Sequence, residues 1–150
     1  MYSFGANAGD GAEPMSGLID VAGKLYGTTM LGGSGPGSYG NGSVFAVTPD
    51  GFETMLFSFN GSDGSEPLAD LKNVKGVLYG TTTMGGIHNL GTVFRITMRG
   101  KQMVLHSFAK GSGQQPRAGL TPLGGTLYGT TFGTTASHPE TYGNVFSLTP

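Results

Sequence analysis

The sequence predicts an all-β chain of three four-stranded antiparallel blades, and three observations carry that prediction. The tetrad Tyr-Gly-Thr-Thr recurs at Tyr26–Thr29, Tyr79–Thr82 and Tyr128–Thr131, a spacing of about 50 residues, in the range of propeller blades. Two markers keep step with it: Gly-x-Val-Phe ending at Phe45, Phe94 and Phe146, and Ser-Phe ending at Phe4, Phe59 and Phe108. The 29 Gly and 8 Pro also recur in register, as turn formers do and as a disordered Gly/Pro-rich chain does not. The whole chain, 1–150, therefore reads as one repeat domain with copies at 1–54, 55–103 and 104–150.

The second copy shows the elements most plainly. After Pro67, residues Leu68–Val74 read as a short strand, and Lys75-Gly76 is a two-residue turn signal. Val77–Thr82 is β-branched and aromatic, which suits a strand. A glycine-rich loop, Met84–Gly91, leads to a third strand at Thr92–Thr97. The turn Met98–Lys101 then leads to a fourth at Met103–Phe108. Hairpin connections throughout predict an antiparallel meander. Pro14, Pro67 and Pro116 precede the first strand of each copy, where a missing N–H is tolerated. Gly27, Gly80 and Gly129 inside the tetrad strands predict close backbone approach between neighbouring blades. The repeated phenylalanines are expected to pack between sheets.

Composition excludes several classes of function. Charged residues are 11% of the chain and the formal net charge is −1, which gives no electrostatic footprint for nucleic acid. No apolar run is long enough to span a bilayer. Without cysteine there is neither a disulfide framework nor thiolate chemistry. The segment Met1–Gly5 shows no signal-peptide pattern, and Met1 stands where the other copies have Leu56 and Leu105.

The stretches Leu78–Thr82, Gly85-Gly86 and Gly91–Phe94, with their counterparts in the other copies, resemble the GloVer-type tandem repeat, a bacterial family. The third copy departs from it by having Phe132-Gly133-Thr134-Thr135 in place of the double glycine. More loosely, the order of motifs is similar to blades of the NHL and gluconolactonase-like propellers. The family resemblance implies an extracellular or cell-surface location and offers no established activity to carry over. The propeller likeness implies that the Pro-led strand is innermost. Met1–Phe4 is then an outer strand without its sheet, and Asn144–Thr149 a third strand without its outer partner. An open arc of three blades would leave apolar faces and strand edges uncovered. The expectation is a homodimer that closes a six-bladed ring; the alternative is a monomeric β-trefoil.

Two loop sets are expected around the central face. In one, Asp10 and Asp63 occupy matching turns followed by Glu13 and Glu66, where the third copy has Ser112 and Gln115. These four carboxylates either ring an axis and hold a divalent cation such as calcium, or cap their own turns. In the other set His88 and His138 are equivalent, and are either converging metal ligands or general bases, or solvated loop residues. Tyr39, Phe132 and Tyr142 stand beside Asn41, Asn89 and Asn144, an aromatic and amide combination suited to a sugar or small molecule. Alternatively those rings pack down on the blades. No catalytic motif is present. The function expected is a non-catalytic ligand-binding or surface scaffold module with carbohydrate as its ligand class. The alternative is a metal-dependent hydrolase or lactonase at the central face, with Asp10, Asp63, His88 and His138 as catalytic candidates.

Overall fold

The computed structural model describes residues 1–5, 8–35, 39–111, 113–133 and 142–150, and among them there is no helix. The first copy supplies β1 (Gly11–Ala12), β2 (Ile19–Val21), β3 (Lys24–Thr29), β4 (Leu31–Gly32), β5 (Ser43–Val47) and β6 (Glu53–Ser58). The second supplies β7 (Lys72–Val74), β8 (Val77–Thr82), β9 (Thr92–Thr97) and β10 (Gln102–Ser107). The third supplies β11 (Thr121–Leu123), β12 (Thr126–Thr130) and β13 (Val145–Leu148). They form antiparallel sheets in the orders β2-β3-β5-β6, β7-β8-β9-β10 and β11-β12-β13, plus the ribbon β1-β4. None of these sheets closes on itself, which leaves the trefoil alternative without its barrel.

Local chemistry explains the meanders. Each first hairpin turns through a residue pair with positive φ: Ala22 (54°) and Gly23 (81°), Lys75 (52°) and Gly76 (82°), Gly124 (58°) and Gly125 (84°). Two consecutive positive φ values make the tight turn whose twist matches the flanking strands. The Pro-led strand is shorter than expected, since only Lys72–Val74 of Leu68–Val74 joins the ladder. The carbonyls ahead of it have other partners. The Thr28 hydroxyl donates to the Pro67 carbonyl at 3.3 Å, and that of Thr81 to Ala118 at 3.3 Å. These bonds tie each sheet to the lead-in of the next, so the Pro-led segments are adjacent; β2 also lies against β7.

Each letter of the tetrad has a distinct task. Tyr26 and Tyr79 are buried against the following sheet. The first Thr makes the inter-sheet bond just described. The second Thr bonds across its own sheet: Thr29 Oγ1 lies 2.8 Å from Ser43 Oγ, and Thr82 Oγ1 lies 2.8 Å from Thr92 Oγ1. In the third copy Asn144 N donates to Thr131 Oγ1 at 2.9 Å. The glycine corrects an expectation. It makes room for a ring of its own sheet, not for the backbone of a neighbouring one. Gly27, Gly80 and Gly129 pair in register with Phe45, Phe94 and Phe146. A Cβ on each would stand 2.7, 2.6 and 2.4 Å from the Cζ of that ring.

The core lies between sheets. One cluster joins Tyr26, Val44 and Ala46 of the first sheet to Leu71, Leu78, Phe94 and Ile96 of the second. The other joins Tyr79 and Val93 to Leu120 and Leu127 of the third. Phe59 and Phe108, which follow β6 and β10, insert edge-on against Phe94 and Phe146 at 5.1 Å each. The Ser-Phe and Val-Phe markers are thus inter-sheet packing, as expected. The two chain ends do not share a sheet within one chain. The third sheet has three strands, and Met1–Phe4 lies against the first sheet with Phe4 on Phe45 at 4.7 Å.

Candidate loop cleft

The ribbon β1-β4 pairs Gly11 with Gly32 and Ala12 with Leu31, and so joins the two loop sets of the first copy. Glycine makes this possible, because a Cβ on Gly32 would meet the Asp10 carbonyl oxygen at 2.4 Å. Gly33 N donates to the Asp10 carbonyl at 2.7 Å, and Gly32 N to the Tyr39 carbonyl at 2.7 Å. Above this floor opens a cleft of about 360 Å³, lined by Asp10, Glu13 and Tyr39 together with glycines 9, 32, 33 and 40. The Tyr39 ring is exposed. The second copy keeps only the rudiment of the ribbon, the bridge between Ser65 and Met84.

The structure thus brings together Asp10, Glu13 and Tyr39, which sequence reasoning had placed in two different groups. Asp10 is already engaged as a cap. Its carboxylate accepts from Tyr2 OH at 2.9 Å, Gly5 N at 2.9 Å and Gly11 N at 2.7 Å. Asp63 likewise accepts from Asn60 N at 2.9 Å. Burial pushes the Asp63 carboxyl above its ordinary range, opposed by that bond and one to its own backbone. Glu53 is also raised, first by burial and then by the neighbouring charge of Asp10.

Glu13, Glu66 and Gln115 share a left-handed backbone, φ 55°, 56° and 52°. Their carbonyls accept from Met30 N, Thr83 N and Phe132 N respectively. The position is therefore a backbone junction between the two loop sets, whatever its side chain does. Among the described residues no three His, Cys, Asp or Glu side chains gather where they could hold a metal ion.

The remaining candidates are dispersed. The Asn41 carbonyl accepts from Glu66 N at 3.1 Å, at the joint between copies one and two. The Asn89 side chain caps its own loop by accepting from Gly85 N at 2.9 Å. His88 and Tyr142 are exposed. His138 and Ser112 lie outside the described residues, as do Thr134 and Thr135. Phe132 is exposed and carries a guanidinium on its face, with Arg117 Cζ 4.1 Å from the ring centroid. Arg117 also donates to Gln115 Oε1 at 3.3 Å. Arg117 was not among the sequence candidates. Its signal was legible: the residue after the lead-in proline is apolar in the other copies, Met15 and Leu68.

A family model for the Gloeobacter/Verrucomicrobia repeat matches residues 1–146. The chain belongs to this repeat family. That match spans all three copies and agrees with the tandem-repeat resemblance carried by the tetrad and Val-Phe motifs. No curated protein matches the chain, and no solved structure does.

Proposed function

We propose that this member of the repeat family is a propeller-type binding module in which each sheet is one blade. Its function is non-catalytic, and its ligand class is carbohydrate. The observation that carries this reading is the cleft shared by Tyr39, Asp10 and Glu13 over a glycine floor. A volume of about 360 Å³ falls within the range of small-molecule clefts, about 300–1,000 Å³. An exposed tyrosine offers an apolar face for the C–H face of a pyranose, and carboxylate oxygens accept from its hydroxyls. The low overall charge supports a neutral ligand over an ionic one. Variation of the loops on a constant scaffold supports binding at this face.

The test is a glycan array followed by titration calorimetry on the intact chain. Wild-type binding that falls at least tenfold in Tyr39→Ala, with melting temperature unchanged, would support the reading. No binding to any arrayed glycan would overturn it. A stoichiometric divalent cation in untreated protein, lost in Asp63→Asn, would instead favour a metal-dependent hydrolase or lactonase.

A further inference from the structure

Positions buried where one sheet meets the next stand exposed on the two outermost sheet faces. Val44 and Val93 are 0% exposed, whereas their counterpart Val145 is 76% exposed. Tyr26 and Tyr79 are 6% exposed and Tyr128 is 38%. These residues mark the rear of the third sheet. On the front of the first sheet the pattern repeats: Leu71 is 0% and Leu120 2% exposed, but Leu18 is 51%. Within the chain these rear and front faces meet twice, first to second sheet and second to third. The two uncovered faces are therefore the two halves of one interface that the molecule already makes.

We propose that a second copy of this chain docks head to tail, the rear of its third sheet on the front of the first. A reciprocal contact then closes a ring of two chains. The N-terminal segment supports this independently. Phe4 meets Phe45 at 4.7 Å and 64°, as Phe59 meets Phe94 and Phe108 meets Phe146 at 5.1 Å and 70°. Phe59 and Phe108 arrive there from the outer strand of the preceding sheet. Met1 likewise lies against Gly51 as Leu56 lies against Gly100. Met1–Phe4 is thus held where the outer strand of a preceding sheet would end.

Among the described residues the third sheet has no such strand. β13 pairs with β12 alone, whereas β5 and β9 each pair with an outer strand as well. Docking gives β13 its missing neighbour, Met1–Phe4 of the other copy. It also fills an apolar cleft of about 390 Å³ bounded by Leu18, Leu25, Phe45 and Val47. On the fronts of the second and third sheets the equivalent space holds the rear-face tyrosine and valine of the preceding sheet.

Light scattering across a concentration series tests the inference, using Leu18→Asp and Val145→Asp. Both positions are exposed in the single chain, so both variants fold; circular dichroism checks this. The wild type is expected at twice the 15.4 kDa chain mass, and each variant alone at that mass. A charge in an apolar contact weakens docking by about 100-fold or more. An equimolar mixture of the two variants is expected to recover the doubled mass, because the intact rear of one meets the intact front of the other. Only a head-to-tail contact can do this. A monomeric wild type overturns the inference, and that includes the case in which further repeats of a longer chain cover these faces. A dimer indifferent to Leu18→Asp, as in a symmetric rear-to-rear pair, overturns it as well.

Discussion

Replacing Gly80 by alanine should destabilise the protein, although elsewhere in a strand the same change helps. Glycine in a strand interior costs about 0.5–1 kcal/mol relative to alanine, through lost chain entropy on folding. At Gly80 the added Cβ would stand 2.6 Å from Phe94 Cζ, 2.9 Å from its Cε1 and 3.0 Å from Leu71 Cδ2. Neither neighbour can yield. Phe94 and Leu71 are fully buried, and Phe59 closes edge-on over the Phe94 ring. Overpacking of this kind costs about 1–3 kcal/mol, so at mid-range the clash outweighs the entropic gain, with a net loss of about 1 kcal/mol. Unfolding entropy of about 2.1 cal/mol/K per residue makes that a drop of about 3 °C in melting temperature for a chain of this length.

Differential scanning calorimetry of Gly80→Ala against Gly129→Ala decides the matter. The nominal approach at Gly129 is closer, 2.4 Å from Phe146 Cζ, but Phe146 is half-buried and free to swing, so its loss should be smaller. In a Phe94→Leu background the Gly80→Ala penalty should shrink or change sign, since the ring that forbids the methyl is gone. A Gly80→Ala protein that melts at or above the wild-type temperature would refute the reasoning.

Two further outcomes follow from buried polar groups. Thr82→Val keeps the shape of the side chain but removes the acceptor of Thr92 N at 3.1 Å and the partner of the Thr92 hydroxyl at 2.8 Å. The expected loss is about 1–3 kcal/mol, read as a lower urea midpoint at unchanged slope; an unchanged midpoint would contradict it. Asp63→Asn concerns pH. Because the folded carboxyl binds its proton more tightly than the unfolded one, its contribution is fully present below the ordinary value of 3.8. That contribution is lost as pH rises through the raised folded value. The melting temperature of Asp63→Asn relative to wild type should therefore increase from pH 3 to pH 7, and a difference independent of pH would count against the burial of Asp63.

Much of this was legible one residue at a time. The strands Val77–Thr82 and Thr92–Thr97 are found where β-branched alternation and flanking turn residues place them. The inter-sheet phenylalanines were readable from their repetition alone. The candidate site was less so. Asp10 and Tyr39 are 29 positions apart, and only the β1-β4 ribbon brings them to one cleft. That ribbon exists because glycines in two separate loops allow backbones to touch, which no local period records.

The sequence alone determined what each segment does with its own hydrogen bonds: the order of strands, the glycine-bearing turns, and an antiparallel meander in every copy. These follow from side-chain alternation and φ preference, both short-range. Tertiary structure decided why the tetrad carries glycine and which copy of a motif is buried. Tyr26 and Tyr128 share the same four-residue motif, yet one is covered and the other is not. Burial is a property of the surface that lies opposite, and that surface comes from another part of the fold.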